Sequence, residues 1–178
     1  MRVIAGSARG LRLQYPKGAD IRPTTDRVRE SLFSSIGDDI IDCRFCDLYA
    51  GAGSVGIEAL SRGAASATFV EKGPRCIEVL ERNLRTTRLE GAATVLRGRL
   101  PECLKEIWQN SGPFDIVFAD PPYSADLEPL LRAVADVLGG AAVVFLLQSD
   151  SRVEPEPGPL EVLRRRTYGE TALTWYLA

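Results

Sequence analysis

"DLYAGAGSVG", residues 47–56, decides how the rest of the chain is read. It holds G-x-G-x-x-G as Gly51, Gly53 and Gly56. A compact apolar run, "FCDLYA" (45–50), precedes it, and a segment suited to a helix (54–62) follows. A glycine turn between strand and helix allows backbone to approach a ligand at the helix start. Glu71 closes the next apolar run, "SATFVE" (66–71), 20 residues after Gly51. A carboxylate there can accept hydrogen bonds from both ribose hydroxyls of an adenosine. Loop and acid together predict an adenosine-containing cofactor.

The strand–helix rhythm continues on the C-terminal side. A helix is expected over 74–88, a strand at "ATVLRG" (93–98), a helix over 101–109, a strand at "FDIVFAD" (114–120), a helix over 126–138 and a strand at "AAVVFLL" (141–147). Apolar strands alternating with helices predict a parallel sheet covered on both faces. The runs "LEVLRRRTY" and "TALTWYLA", flanking "GE", break the rhythm and read as an antiparallel edge pair. On the N-terminal side, "RVIA" (2–5) and "LRLQ" (11–14) around "GSARG" read as a small hairpin. Thr24 or Thr25 can cap a helix with Asp26 in its first turn, and Val28, Leu32 and Ile36 form its apolar stripe before Gly37.

Two cofactor classes fit the glycine loop. A nicotinamide dinucleotide brings an anionic pyrophosphate, which wants bare helix amides. S-adenosylmethionine brings a cationic ammonium and sulfonium, which want acceptors. Asp47, four residues before the first glycine, supplies negative charge beside the loop and favours S-adenosylmethionine. A G-x-G-x-x-G by itself is equally compatible with NAD and an oxidoreductase.

The fourth strand ends in Asp120-Pro121-Pro122-Tyr123. Proline lacks a backbone N–H and cannot continue a central strand. In an open α/β sheet, ligands sit at the carboxyl ends of strands near the switch in strand order, so this loop should border the cofactor's reactive end. Its chemistry suits an exocyclic amine of a base. Such an amine is a weak nucleophile because its lone pair is delocalised into the ring. Asp120 and a rigidly held proline carbonyl can each accept one N–H, freeing the lone pair. Tyr123 offers a ring for an extruded base to stack on.

Bulk properties restrict the alternatives. The chain has 178 residues, enough for one domain with a core, and no apolar run near the roughly 20 residues of a membrane span. The start, "MRVIAGSARG", lacks the apolar stretch of a signal peptide, so a cytoplasmic protein is expected. There are no histidines, which excludes Ser-His and Cys-His hydrolase schemes. Cys43 and Cys46 form a lone C-x-x-C, with Cys76 and Cys103 poorly spaced to complete a zinc site, so no metal is expected. The net charge is -2, yet residues 1–36 carry seven bases against three acids. A basic arm on an acidic body suits a polyanion partner. A second basic cluster is Arg164-Arg165-Arg166.

The stretches "RVIAGSARGLRL", "RPTTDRVRESLFSSI", "DLYAGAGSVGIEALSRGA", "FVEKGPRCIEVLERNL", "VFADPPY" and "RRRTYGETAL" together resemble the RsmD-type family of bacterial small-subunit ribosomal RNA guanine-N(2) methyltransferases over nearly the whole chain. "RPTTDRVRE" is the most family-specific piece, whereas "DPPY" is shared with many DNA and RNA enzymes. The resemblance implies an α/β, Rossmann-like class I S-adenosylmethionine-dependent methyltransferase. It implies a mostly parallel seven-stranded sheet, an antiparallel C-terminal edge pair and a small N-terminal β-hairpin. One domain would span 1–178, with the hairpin extension at 1–20 and the catalytic core at 21–178. The implied partner is 16S rRNA in the small ribosomal subunit or an assembly intermediate, with no membrane and a monomeric enzyme.

On this resemblance Asp120, Pro121, Pro122 and Tyr123 form the catalytic loop. Asp47, Tyr49, Gly51, Gly53, Glu71, Lys72, Arg99 and Thr25 lie around the cofactor, with Lys72 beside the adenine. Arg2, Arg9, Arg12, Arg22 and Arg27 meet RNA; Arg22, Thr24, Thr25 and Arg27 match the family's N-terminal motif and shape a cofactor lid or meet phosphate. Two departures stand out. Arg99 occupies the place after strand three where many methyltransferases put an acid, and strand five leads into Gln148-Ser149-Asp150. The nearest rival enzyme is a DNA adenine or cytosine amino-methyltransferase. A non-catalytic RNA-binding assembly factor is the rival outside enzymes.

Overall fold

A computed structural model describes residues 1–16, 25–141 and 143–177. Five parallel-type strands alternate with helices: β1 (Arg44–Leu48), α2 (Ser54–Ser61), β2 (Ser66–Glu71), α3 (Pro74–Thr87), β3 (Ala93–Arg97), α4 (Leu104–Ser111), β4 (Ile116–Ala119), α5 (Glu128–Leu138) and β5 (Val144–Asp150). Helix α1 (Asp26–Ile36) precedes them, and β6 (Glu161–Tyr168) and β7 (Thr171–Leu177) follow. The seven strands form one sheet in the order β3-β2-β1-β4-β5-β7-β6. β1 to β5 are parallel, and β7 runs antiparallel to both β5 and β6.

The apolar strands are uniformly buried because both faces are covered, yet their side chains still alternate. Phe45, Phe69, Ile116, Phe118, Leu146 and Trp175 join α1, α2 and α3 in one core. Cys46, Leu48, Val70, Val117, Phe145 and Tyr176 join α4 and α5 in the other. The result is three layers with a switch point between β1 and β4. Chain order runs outward from there through β2 and β3 on one side and through β5 on the other, so the ends of β1 and β4 open side by side.

Thr25 caps α1, its hydroxyl accepting from the Val28 amide at 3.3 Å. Gly37 closes that helix at φ +64°. The expected cap Thr24 and the site residue Arg22 lie outside the described residues, as does the boundary at residue 20. The fourth helix begins at Leu104 rather than 101, because Pro101 to Cys103 form a turn first. The fifth strand runs 144–150 rather than 141–147, since the Gly139-Gly140 turn extends to Ala141, whose amide bonds Leu138.

The expected N-terminal hairpin forms as a short one: the antiparallel Arg2–Arg12 bridge is flanked by the Val3 amide on the Leu11 carbonyl at 3.0 Å and the Leu13 amide on the Met1 carbonyl at 3.1 Å. Groups on the body add to its hold. Buried Glu58 on α2 accepts from the amides of Ile4 at 2.8 Å and Ala5 at 3.0 Å. Ser61 accepts from the Ala8 amide at 3.0 Å, and Asn83 on α3 grips both backbone groups of Gln14 at 2.8 and 3.0 Å. Gly6 presses on α2 so closely that a Cβ there would meet the Ser61 carbonyl oxygen at 1.6 Å. Arg29, counted with the basic arm, is fully buried: it donates to the Arg2 and Ser54 carbonyls and pairs with Asp26 at 3.0 Å. Its charge organises the interior and does not face a partner.

Candidate active site

The cavity at the switch point has a volume of about 720 Å³. The first wall is the glycine loop. Asp47 is 2 % exposed, and its carboxylate accepts from the Gly56 amide at 2.8 Å. Burial pushes this carboxyl up to about 7, with the charges of Asp120 and Glu71 adding to the rise against the Gly56 hydrogen bond. A buried carboxylate held so close to neutrality is a ready receptor for a cation.

The loop itself is tightly determined. Gly51 and Gly53 sit at φ +56° and +83°, where glycine alone is unstrained. A Cβ on Gly53 would strike the Leu80 side chain at 2.1 Å, and one on Gly56 the Phe69 ring at 2.3 Å. At Gly51 the Cβ position is open space, so that stretch of loop faces the cavity rather than packing. Glu71 accepts from the Gly51 amide at 2.9 Å and the Gly73 amide at 2.7 Å, which fixes its carboxylate at the rim of β2. Beneath the loop, Asn83 donates to the Ala52 carbonyl at 2.9 Å while it holds Gln14. One side chain thus ties the loop to the N-terminal arm.

The facing wall comes from β4. Register pairs Leu48 with Ala119, so Asp120 leaves the sheet directly beside the end of β1. Pro121 is buried, and the Pro122 carbonyl accepts from the Ala125 amide at 2.8 Å, closing a tight turn. Tyr123 is 37 % exposed, and its hydroxyl bonds Thr171 on β7 at 2.9 Å. The ring therefore stands at the mouth with its orientation tethered.

All four residues of the Asp-Pro-Pro-Tyr loop line this cavity, as do Asp47, Tyr49, Gly51, Glu71, Lys72, Arg99 and Thr25. Gly53 lies behind the lining, packed on Leu80. Burial holds the Tyr49 phenol up to about 12, so it is neutral. Arg2, Arg9 and Arg12 are exposed on the N-terminal loop and do not line the cavity; Arg27 lines a separate groove beside it. Cys43 and Cys46 belong to opposite cores, so the C-x-x-C cannot converge on one ligand. Sequence reasoning missed Tyr15 and Thr171, both in the lining, and Asn83 below it. Gln148 also lines the cavity.

The donor set fits S-adenosylmethionine and opposes a dinucleotide. The amide of Gly56, in the first turn of α2, is already capped by the Asp47 carboxylate, where a pyrophosphate would need positive potential. The same carboxylate suits an ammonium.

A family described as "Conserved hypothetical protein 95" matches residues 1–177. The chain belongs to this family. Ribosomal RNA small subunit methyltransferase D of Escherichia coli (strain K12) is 36% identical over 181 residues, covering 99% of this chain and 89% of the relative. YlbH of Bacillus subtilis (strain 168) is 37% identical over 183 residues, covering 99% and 98%. The structure of a hypothetical protein of Thermus thermophilus superposes with a TM-score of 0.84 at 34% identity, covering 100% of this chain and 99% of that one. Fold and family make this family member an S-adenosylmethionine-dependent class I methyltransferase. Among the described residues, no helix is long and apolar enough to cross a membrane.

Proposed function

We propose that this methyltransferase modifies the exocyclic N(2) amine of a guanine in 16S small-subunit ribosomal RNA, as a single-domain monomer in the cytoplasm. The observation that carries the reading is the convergence of two loops in one cavity: the glycine loop with Asp47 and Glu71, and the Asp-Pro-Pro-Tyr loop with its exposed ring. The name of the Escherichia coli relative supports the RNA substrate.

S-adenosylmethionine, when bound, supplies an electrophilic methyl group on a sulfonium. Asp47 holds the cationic amino-acid end, and Glu71 holds the ribose. Tyr49, Lys72, Arg99 and Thr25 enclose the remaining surface. Asp120 accepts one N–H of the guanine amine. Because the Pro122 carbonyl is engaged by Ala125, Pro121 is the proline whose carbonyl takes the second N–H. These two acceptors draw the nitrogen lone pair out of conjugation and toward the methyl group, and Asp120 lies where the amine's surplus proton leaves. Tyr123 stacks on the extruded base, its ring set by the Thr171 hydroxyl.

The test is nucleoside analysis. Unmethylated small-subunit RNA is incubated with the protein and methyl-labelled S-adenosylmethionine, then digested to nucleosides. Label in N(2)-methylguanosine is expected. Label in N(6)-methyladenosine or N(4)-methylcytidine would move the enzyme to another amine.

A further inference from the structure

A second concavity, of about 520 Å³, lies between α1 and the edge strand β6. Arg27, Ser31 and Ser34 form its helical wall, and Arg164, Arg166 and Tyr168 its strand wall. Glu30 is the one carboxylate among its described lining residues. Two excess positive charges are thus gathered on one face of a chain whose net charge is -2.

These three arginines are not held by ion pairs among the described residues, as several others are. Arg29, Arg62, Arg85, Arg132 and Arg152 each pair with a carboxylate. Among the described residues, Arg27, Arg164 and Arg166 pair with none. The Arg164 guanidinium carbon sits over the Trp175 ring, 4.2 Å from its centroid. A cation held against a ring face is positioned without using its N–H donors on a carboxylate. The aim of the strand wall is set by a bulge. Register shifts between Val162 and Arg164, so Arg164 comes opposite Trp175 and Arg166 opposite Leu173, on the side of the sheet that α1 covers. Arg165 falls on the other side and donates to the Ser151 and Val153 carbonyls.

The groove neighbours the active-site cavity at both walls. Thr25 and Val28 line the cavity while Arg27, between them, lines the groove. Tyr168 pairs in register with Thr171, the residue that tethers Tyr123. We propose that this groove is the track for the single-stranded RNA flanking the target base, with Arg27, Arg164 and Arg166 on its phosphates. The inference rests on the RNA reading above and extends it to a surface on the C-terminal hairpin. Forked guanidinium donors, hydroxyls from Ser31 and Ser34, and a ring at the cavity end match a phosphate backbone leading to a stacked base.

The experiment compares wild type with Arg166→Gln, an exposed change that leaves the Trp175 stack intact, and with the double variant Arg164→Gln/Arg166→Gln. Arg132→Gln on α5, across the sheet, controls for the charge change. Direct binding of protein-free small-subunit RNA and methyl transfer are both measured. For the double variant we expect KM for RNA to rise about tenfold, with kcat and S-adenosylhomocysteine affinity within about twofold of wild type. The slope of log affinity against log salt should become shallower by about 1.4, at about 0.7 per lost single-strand phosphate. Arg166→Gln should show about half the slope change, and Arg132→Gln none. Unchanged KM and slope in the double variant overturn the groove while leaving the methylation reading intact. Lost affinity for the assembled subunit with unchanged affinity for protein-free RNA also overturns it, since a protein would then occupy the groove. Wild type that binds RNA through these arginines yet transfers no methyl keeps the groove and overturns the methylation reading.

Discussion

Asp47 makes cofactor binding a proton-release reaction. In the cofactor-free protein burial holds its carboxyl at about 7, against an ordinary value of 3.8. A folded value above the unfolded one means that the protonated form is the one folding favours. Stability from this group is therefore present at acid pH and is lost as pH rises from about 4 to 7. A bound ammonium reverses the preference, because it favours the carboxylate. Below pH 7 the protein must first give up the Asp47 proton, so affinity should fall about tenfold per pH unit. At pH 5 that amounts to about 100-fold, or about 2.7 kcal/mol. The assay is calorimetric titration with S-adenosylhomocysteine from pH 5 to 8, each pH in two buffers of different ionisation enthalpy. Close to one proton should be released per binding event at pH 6, and close to none at pH 8. Asp47→Asn should abolish both the pH dependence and the proton release. It should also raise the apo melting temperature at pH 8, since a neutral amide can still accept the Gly56 amide. Flat affinity from pH 5 to 8 with no proton release would refute the reasoning.

Three further outcomes follow from the packing. Gly56→Ala places a methyl against the Phe69 ring, where a Cβ would come within 2.3 Å, and should cost about 1–3 kcal/mol in chemical denaturation. Asn83→Ala strips bonds from the Gln14 and Ala52 backbone; it should cost about 1–3 kcal/mol and also weaken S-adenosylhomocysteine binding in calorimetry, because the loop loses its support. Tyr123→Phe keeps the stacking face and loses the Thr171 tether, so turnover should fall only a few-fold. Tyr123→Ala should cost about 1–3 kcal/mol in kcat/KM for RNA, read by steady-state methyl transfer.

The parts legible in the sequence were those whose chemistry is local. The glycine loop, Glu71 and the Asp-Pro-Pro-Tyr turn each announce themselves within a few residues, and strand alternation brings them to one end of the sheet. What escaped depends on distant partners. Nothing near Arg2 or Ile4 shows that Glu58 and Ser61 will anchor the hairpin to α2, since those contacts span more than 50 residues. Arg29 reads as a surface base until Asp26 and the backbone carbonyls of Arg2 and Ser54 are seen to close over it. β7, buried along almost its whole length, takes the inner place beside β5, while the charged β6 takes the edge. The bulge that aims Arg164 and Arg166 has no local signal, because neither glycine nor proline marks it.

The central claim is that Asp120 acts on the amine and not on the cofactor. Asp120→Ala tests it directly in single-turnover methyl transfer to small-subunit RNA, with S-adenosylhomocysteine affinity measured on the same preparation. The account predicts affinity within about threefold of wild type and a rate lower by on the order of 10²-fold or more. A normal rate, or a rate loss that saturating cofactor restores, would contradict it.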